Sequence, residues 1–231
     1  MIEMGIHEGH RERLRESFFE NGLDCFNDIN ALEFLLFYAI PRRDTNELAH
    51  RLLDHFGSLE AVLFASKQEL MAVEGIGESA AGLIMLVPKL YKKSKISKAN
   101  DEPVIHCGAD AARYMMPRFM DEQSEVLIMM CLDPKKEVIS CREIDRGVVG
   151  SVDTSVRKLV EIALKCNAHT VIVAHNHPNG HLQMSREDEQ FTRTLYKSLA
   201  LLGIELVDHI IFSGKRYVSF ADSGVMSMLR R

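Results

Sequence analysis

The chain has 231 residues, 46% of them hydrophobic and 26% charged, enough for one large or two modest domains to bury a core without covalent staples. Its formal net charge is -5, with acidic residues outnumbering lysine and arginine on both sides of residue 100, which excludes a basic domain that grips nucleic acid nonspecifically. The five cysteines form no C-x-x-C pair, and no apolar run approaches the roughly 20 residues of a membrane-spanning helix. Reduced, dispersed thiols and the charged start MIEMGIHEGHRERLRE indicate a cytoplasmic chain.

Apolar residues at helical spacing predict helices over 11–20, 28–38, 45–56, 59–65, 67–73 and 79–91. The punctuation agrees: Asn21-Gly22 ends the first, Pro41 follows the second, and Ser58 is placed to cap the fourth. From Lys92 to Pro103 the sequence KKSKISKANDEP loses its periodicity and reads as an exposed linker, which sets the domains at 1–98 and 103–231. Beyond it the pattern is α/β. Strands over 126–132 and 137–141 flank the turn Asp133-Pro134-Lys135-Lys136, and a helix covers 152–166. A short buried strand over 170–174 and a long helix over 185–202 follow, then closing strands over 205–212 and 217–220 hinged at Ser213-Gly214.

The segment TVIVAHNHPNGHLQMSREDEQF sets His175 and His177 at i and i+2 just past a β-branched strand, and the alternation of an extended chain puts both imidazoles on one face. Pro178-Asn179-Gly180 turns the chain, Ser185 starts a helix, and Asp188 points back one turn later. Two neutral imidazoles and a carboxylate leave the fourth tetrahedral position open to water, the mark of a catalytic rather than a closed structural zinc site. Ser185-x-x-Asp188 also fits a capping box, which by itself explains both residues. Joined as H-x-H-P-x(6)-S-x-x-D, the two pieces are more specific than either alone.

That string resembles the JAMM motif of the JAB/MPN metalloprotease superfamily. Nearly the whole chain, including GHRERLRESFFENGLD and LLFYAIPRRDTNELAHRLL, resembles the RadC family. The resemblance implies an all-helical N-terminal domain followed by a JAB/MPN α/β sandwich, cytidine-deaminase-like, binding one zinc ion per chain. It also implies an upstream glutamate, at the start of a strand, that handles the proton of the attacking water. Glu125 opens the run that matches E-V-L-x-M-x-x-L-D, with Glu122 and Glu143 as competitors. Ser185 would then donate to the developing oxyanion, a role whose loss costs about a hundredfold or more in rate. Two features depart from the family: Met184 stands where proline usually precedes the motif serine, and the residues after Arg146-Gly147, starting at Val148-Val149-Gly150, differ. His181 reads as an exposed side chain, with a spare ligand or general acid as alternatives. Asp208 and His209, in LVDHIIF, resemble a recurring family element and read as a satisfied buried polar pair, the functional alternative being to orient a metal-bound histidine.

In the N-terminal half, Leu70-x-x-Val73-Glu74-Gly75-Ile76-Gly77-x-x-x-Ala81-x-x-Ile84 resembles a helix-hairpin-helix, which holds the DNA backbone without reading sequence. Two glycines allow a tight turn, and the free N–H groups at the next helix start suit a phosphate. Lys89, Lys92 and Lys93 add charge, whereas Glu74 and Glu78 oppose an anion, and a hairpin between core helices explains the same glycines. The expected nucleic-acid contacts are Gly75, Gly77 and Lys89. The expected function is a zinc-dependent, metallopeptidase-like hydrolase acting on a peptide or protein-conjugate bond, recruited to DNA by this domain. The alternatives are a metal-dependent nuclease, for which one zinc is less suited than a two-metal clamp, and a non-catalytic DNA-binding adaptor with a structural metal. The resemblance also carries an association with DNA repair.

Overall fold

In a computed structural model, which describes residues 6–41, 43–101, 104–147 and 152–229, the chain divides into two compact units, Met1–Tyr91 and Lys92–Arg231. Among the described residues no helix is long and apolar enough to cross a membrane, and all five cysteines are free.

The first unit is helical: α1 (Ile6–Asn21), α2 (Asp28–Ala39), α3 (Asn46–Phe56), α4 (Leu59–Phe64), α5 (Lys67–Ala72) and the first part of α6 (Glu78–Asn100). Its core joins Leu36, Leu52, Val62, Leu70 and Ile84, each without exposed surface. Side chains satisfy the free N–H groups at the helix starts. Asn27 accepts from Asn30 N, Ser58 accepts from Ala61 N, and Ser66 and Glu69 cap α5 reciprocally. Helix α6 runs on to Asn100, through the stretch expected to be an aperiodic linker. Lys92–Asn100 contains no glycine or proline, so losing the apolar stripe did not lower helix propensity.

The second unit adds α7 (Gly108–Met115), a 3-10 turn (Met116–Phe119), β1 (Val126–Leu132), β2 (Val138–Arg146) and α8 (Val152–Lys165), then β3 (Thr170–Asn176), α9 (Arg186–Ala200), β4 (Glu205–Ser213), β5 (Arg216–Ser219) and α10 (Val225–Leu229). Among the described residues one five-stranded sheet runs β2-β1-β3-β4-β5. β1 is antiparallel to β2 and β3, β3 is parallel to β4 through the α9 crossover, and β5 is antiparallel to β4. Alternate residues Leu127, Met129, Val171 and Val173 pack under α8 and α9, while Ile128, Met130, Ile172 and Ala174 pack with Met115 of α7 and Phe119. Burial on both faces is why β1 and β3 read as unbroken apolar runs. β2 continues past the expected Cys141 to Arg146 because this half-exposed edge strand carries polar side chains. Helices α7 and α10, eight and five residues long, are too short for a periodicity to be read.

Candidate metal centre

The antiparallel pairing of β1 with β3 sets Leu127 opposite His175, so Glu125, just before β1, comes to the same sheet end as the two histidines. Alternation puts Glu125 in phase with Leu127, and His175 with Val173, on the face covered by α8 and α9. His177 lies beyond the strand but keeps one more ladder bond, its N–H donating to Phe212 O at 2.8 Å. Helix α9 starts over this mouth and delivers Asp188 from its first turn.

The groups converge closely. His175 Nε2 and His177 Nε2 are 2.9 Å apart. Asp188 Oδ1 lies 3.2 Å from His175 Nε2, and its Oδ2 lies 3.8 Å from His177 Nε2. Glu125 Oε1 is 4.0 Å from His175 Nε2, and ligand atoms of Glu125, His175 and His177 all fall within 4.8 Å of one another. His177 Nδ1 donates to the carbonyl of His181 at 3.0 Å, so in the neutral ring the lone pair lies on Nε2. Imidazole nitrogens and carboxylate oxygens meeting in this way form a donor set that fits zinc. Burial opposes the charge of Asp188, but the hydrogen bond and charge of His175, joined by the N–H and hydroxyl of Ser185, hold its carboxyl well below the usual range.

The competing glutamates are engaged elsewhere. Glu122 pairs with Lys92 and Arg146, and Glu143 takes Arg146 Nε at 2.9 Å and Nη2 at 2.7 Å. Glu125 faces the histidines with its side chain 37% exposed. Its aim comes from a residue that the sequence reading passed over. Asn176, 5% exposed between the two histidines, donates from Nδ2 to Ser124 O at 3.0 Å and accepts from Val126 N at 2.7 Å. It grips the backbone on both sides of Glu125, whose own carbonyl accepts from Gly147 N at 2.8 Å. The available signal was an amide at the end of a buried strand, between the two histidines, where its burial demands partners.

A profile of the RadC-like JAB domain matches residues 105–225, and one of the helix-hairpin-helix motif matches residues 58–87. A UPF0758 protein of Fusobacterium nucleatum subsp. nucleatum is 34% identical over 230 residues, covering 95% of this chain and 98% of the relative. UPF0758 proteins of Paraburkholderia xenovorans and Burkholderia thailandensis are each 30% identical, over 91% and 93% of this chain and 83% and 82% of their own. The chain belongs to the RadC family.

Within this JAB domain the capping box forms in full. Ser185 Oγ accepts from Asp188 N at 3.0 Å and donates to Asp188 Oδ2 at 2.7 Å, and Ser185 N donates to the same oxygen at 2.9 Å. The serine hydrogen is thus committed to the carboxylate. Met184, at the departure from the family pattern, packs against the core under α8 and α9, and His181 is exposed. Val148, Val149 and Gly150 lie outside the described residues. Asp208 and His209 are both buried and hydrogen-bonded, and His209 N–H donates to Asp208 Oδ1 at 2.8 Å, but as successive strand residues their side chains face opposite ways. Asp208 accepts from Ser219 Oγ at 2.7 Å and Ala221 N at 2.9 Å, and burial pushes its carboxyl above the usual range. His209 turns instead toward His175, stacked on Phe220 with centroids 4.8 Å apart. Burial first, and His175 next, push the His209 imidazole well below its ordinary value.

In the helix-hairpin-helix of this RadC chain the two glycines differ. Gly75 has φ +94°, and a Cβ there would lie 2.5 Å from Leu48 Cδ2, so folding alone requires it. A Cβ at Gly77 would meet nothing within 4 Å, and its carbonyl accepts from Ala81 N at 3.0 Å at the start of α6. Lys89 is exposed but sits three turns along α6, about 17 Å from the hairpin by helical rise. Glu78, expected to oppose an anion, pairs with Lys67, and Arg51 Nη1 donates to Glu74 O at 3.0 Å.

Proposed function

We propose that this chain is a zinc-dependent hydrolase of the JAMM type, acting on a peptide or protein-conjugate bond, with its helix-hairpin-helix recruiting it to DNA or a DNA-bound partner. The observation that carries the reading is the meeting of His175 Nε2 and His177 Nε2 at 2.9 Å, flanked by Asp188 and Glu125 at one sheet end. The JAB superfamily includes metallohydrolases, and these are the residues its motif would use. Zinc, when bound, supplies Lewis acidity that lowers the pKa of water to about 7 and polarises a carbonyl.

His175, His177 and Asp188 hold the ion in this reading. Ser185 fastens Asp188 Oδ2 and so leaves Oδ1, the oxygen nearer His175, to serve as the ligand atom. Glu125 is the more open carboxylate. Steadied by Asn176, it takes the proton of the attacking water and returns it to the leaving group. Ser185 reaches an oxyanion only by exchanging its hydrogen bond to Asp188; until then it orients the ligand. Gly77 and the start of α6 offer the DNA backbone a local contact that does not need a basic surface, and the two domains separate near residues 98–103.

The test is a substrate panel of peptides, ubiquitin-like conjugates and single- and double-stranded DNA, run with wild type and Glu125→Gln. The variant is expected to keep zinc and fold and to lose turnover about a hundredfold or more, because glutamine keeps the shape and removes the base. Full activity of Glu125→Gln overturns the mechanism, and release of nucleotides from labelled DNA moves the assignment to a nuclease.

A further inference from the structure

Behind the histidine pair lies a chain of short hydrogen bonds whose direction can be worked out from one end. Thr192, on α9 and without exposed surface, has its Oγ1 2.6 Å from the carbonyl oxygen of Asp188 and 2.6 Å from His209 Nδ1. A carbonyl only accepts, so the hydroxyl hydrogen goes to Asp188 O, as is common for threonine bonding one turn back along a helix. Thr192 Oγ1 can then only accept from the ring, and the proton of His209 sits on Nδ1. His209 has no exposed surface, no carboxylate bonded to either nitrogen, and aromatic neighbours in Phe191 and Phe220. It therefore carries a single proton, and its Nε2 is bare. That nitrogen lies 2.8 Å from His175 Nδ1, which must be the donor. Nδ1 of His175 thereby carries a proton, so in the neutral ring that could ligate a metal the lone pair is on Nε2, the nitrogen facing His177 and Asp188.

We propose that His209 and Thr192 are positioning residues of the metal centre: they fix His175 in the one tautomer that can ligate through Nε2, and tie that ring to the helix turn carrying Asp188. The inference rests on the metal reading above and adds residues that the motif does not contain. The circuit runs from β3 through β4 and α9 back to the backbone of another ligand residue, so moving either element strains the other's ligand. With the opposite tautomer a hydrogen would occupy Nε2, the nitrogen that would hold the cation. Loss of such a supporting bond typically costs 10- to 100-fold in metal affinity.

The experiment pairs zinc affinity, measured by chelator competition, with nitrogen-15 NMR of the histidine tautomers in the metal-free protein. Thr192→Val keeps the shape and removes the hydroxyl, and is expected to weaken zinc about 10- to 100-fold; Thr192→Ser keeps the hydroxyl and should stay within about threefold. A packing role would reverse that order and overturn the proposal. In metal-free wild type both His175 and His209 are expected to carry a proton on Nδ1, and a neutral form protonated only on Nε2 at either overturns the proposal even if the variants fail to fold. Should wild type take up no zinc, the metal reading falls by itself, and the tautomers alone then decide whether the circuit exists.

Discussion

Each unit carries a tight turn that feeds a helix N-terminus, between α5 and α6 in one and between β3 and α9 in the other, and the two differ in what arrives there from elsewhere in the chain. At the hairpin the neighbours are local or structural: Gly75 makes room for Leu48, and Lys67 is spent on Glu78. At the β3 end, sheet pairing imports Glu125, 50 residues before His175, and β4 imports His209. Both turns were visible as motifs. The difference teaches that a motif's spacing proposes chemistry, while the residues brought in by tertiary pairing decide whether compatible groups meet.

The sharpest way to break this comparison is to disturb the import without touching the motif's ligands. Asn176→Leu leaves the buried Val126 N–H and the half-buried Ser124 C=O unpaired, which should lower stability by about 2–6 kcal/mol at one to three per unmet group. Zinc content of the folded variant should stay intact while Glu125-dependent turnover falls, as chemical denaturation, metal analysis and the responding substrate would show. Unchanged turnover per folded molecule would mean that Asn176 serves only the strand end.

The hairpin yields to a paired test with smaller effects. Gly75→Ala combines a positive φ with a clash and should cost about 1–3 kcal/mol, melting the first unit early. Gly77→Ala should leave the melting temperature nearly unchanged, since its Cβ would stand in open space, yet weaken DNA binding in a low-salt titration, because that Cβ would take the room a phosphate needs beside the helix start. Equal DNA affinity for wild type and Gly77→Ala would leave the turn a core hairpin and nothing more.

The smallest expected effect concerns Glu122, the discarded competitor of Glu125. Burial works to raise its pKa, but Arg146 and Lys92 outweigh burial and hold it below the usual carboxylate range. A depressed folded pKa means that the ion pairs stabilise fully above the unfolded carboxylate pKa and lose their effect as pH falls through the folded value. Glu122→Gln should thus lower stability by about 1 kcal/mol at neutral pH, with the gap to wild type closing on acidification. A gap that does not depend on pH would point to packing instead.

How much was legible follows the same division between local and imported information. His175, His177, Ser185 and Asp188 sit within 14 consecutive residues and carry strand and helix signals, so their convergence could be anticipated. The bounds of β1 were legible to the residue because its seven apolar side chains are all buried. Asn176 and Thr192 were not, since an amide and a hydroxyl gain meaning only through partners on other elements. The polar tail of α6 and the outer half of β2 were missed for a related reason: a solvated face removes the apolar period without removing the hydrogen-bonded backbone.

The most direct test of the central claim is the metal itself. Protein purified without added metal and analysed for bound elements should contain about one zinc per chain, the stoichiometry of a single mononuclear site. The His175→Ala, His177→Ala double variant, folded as judged by circular dichroism, should contain almost none. Undiminished zinc in that double variant would contradict the assignment of the metal to this constellation.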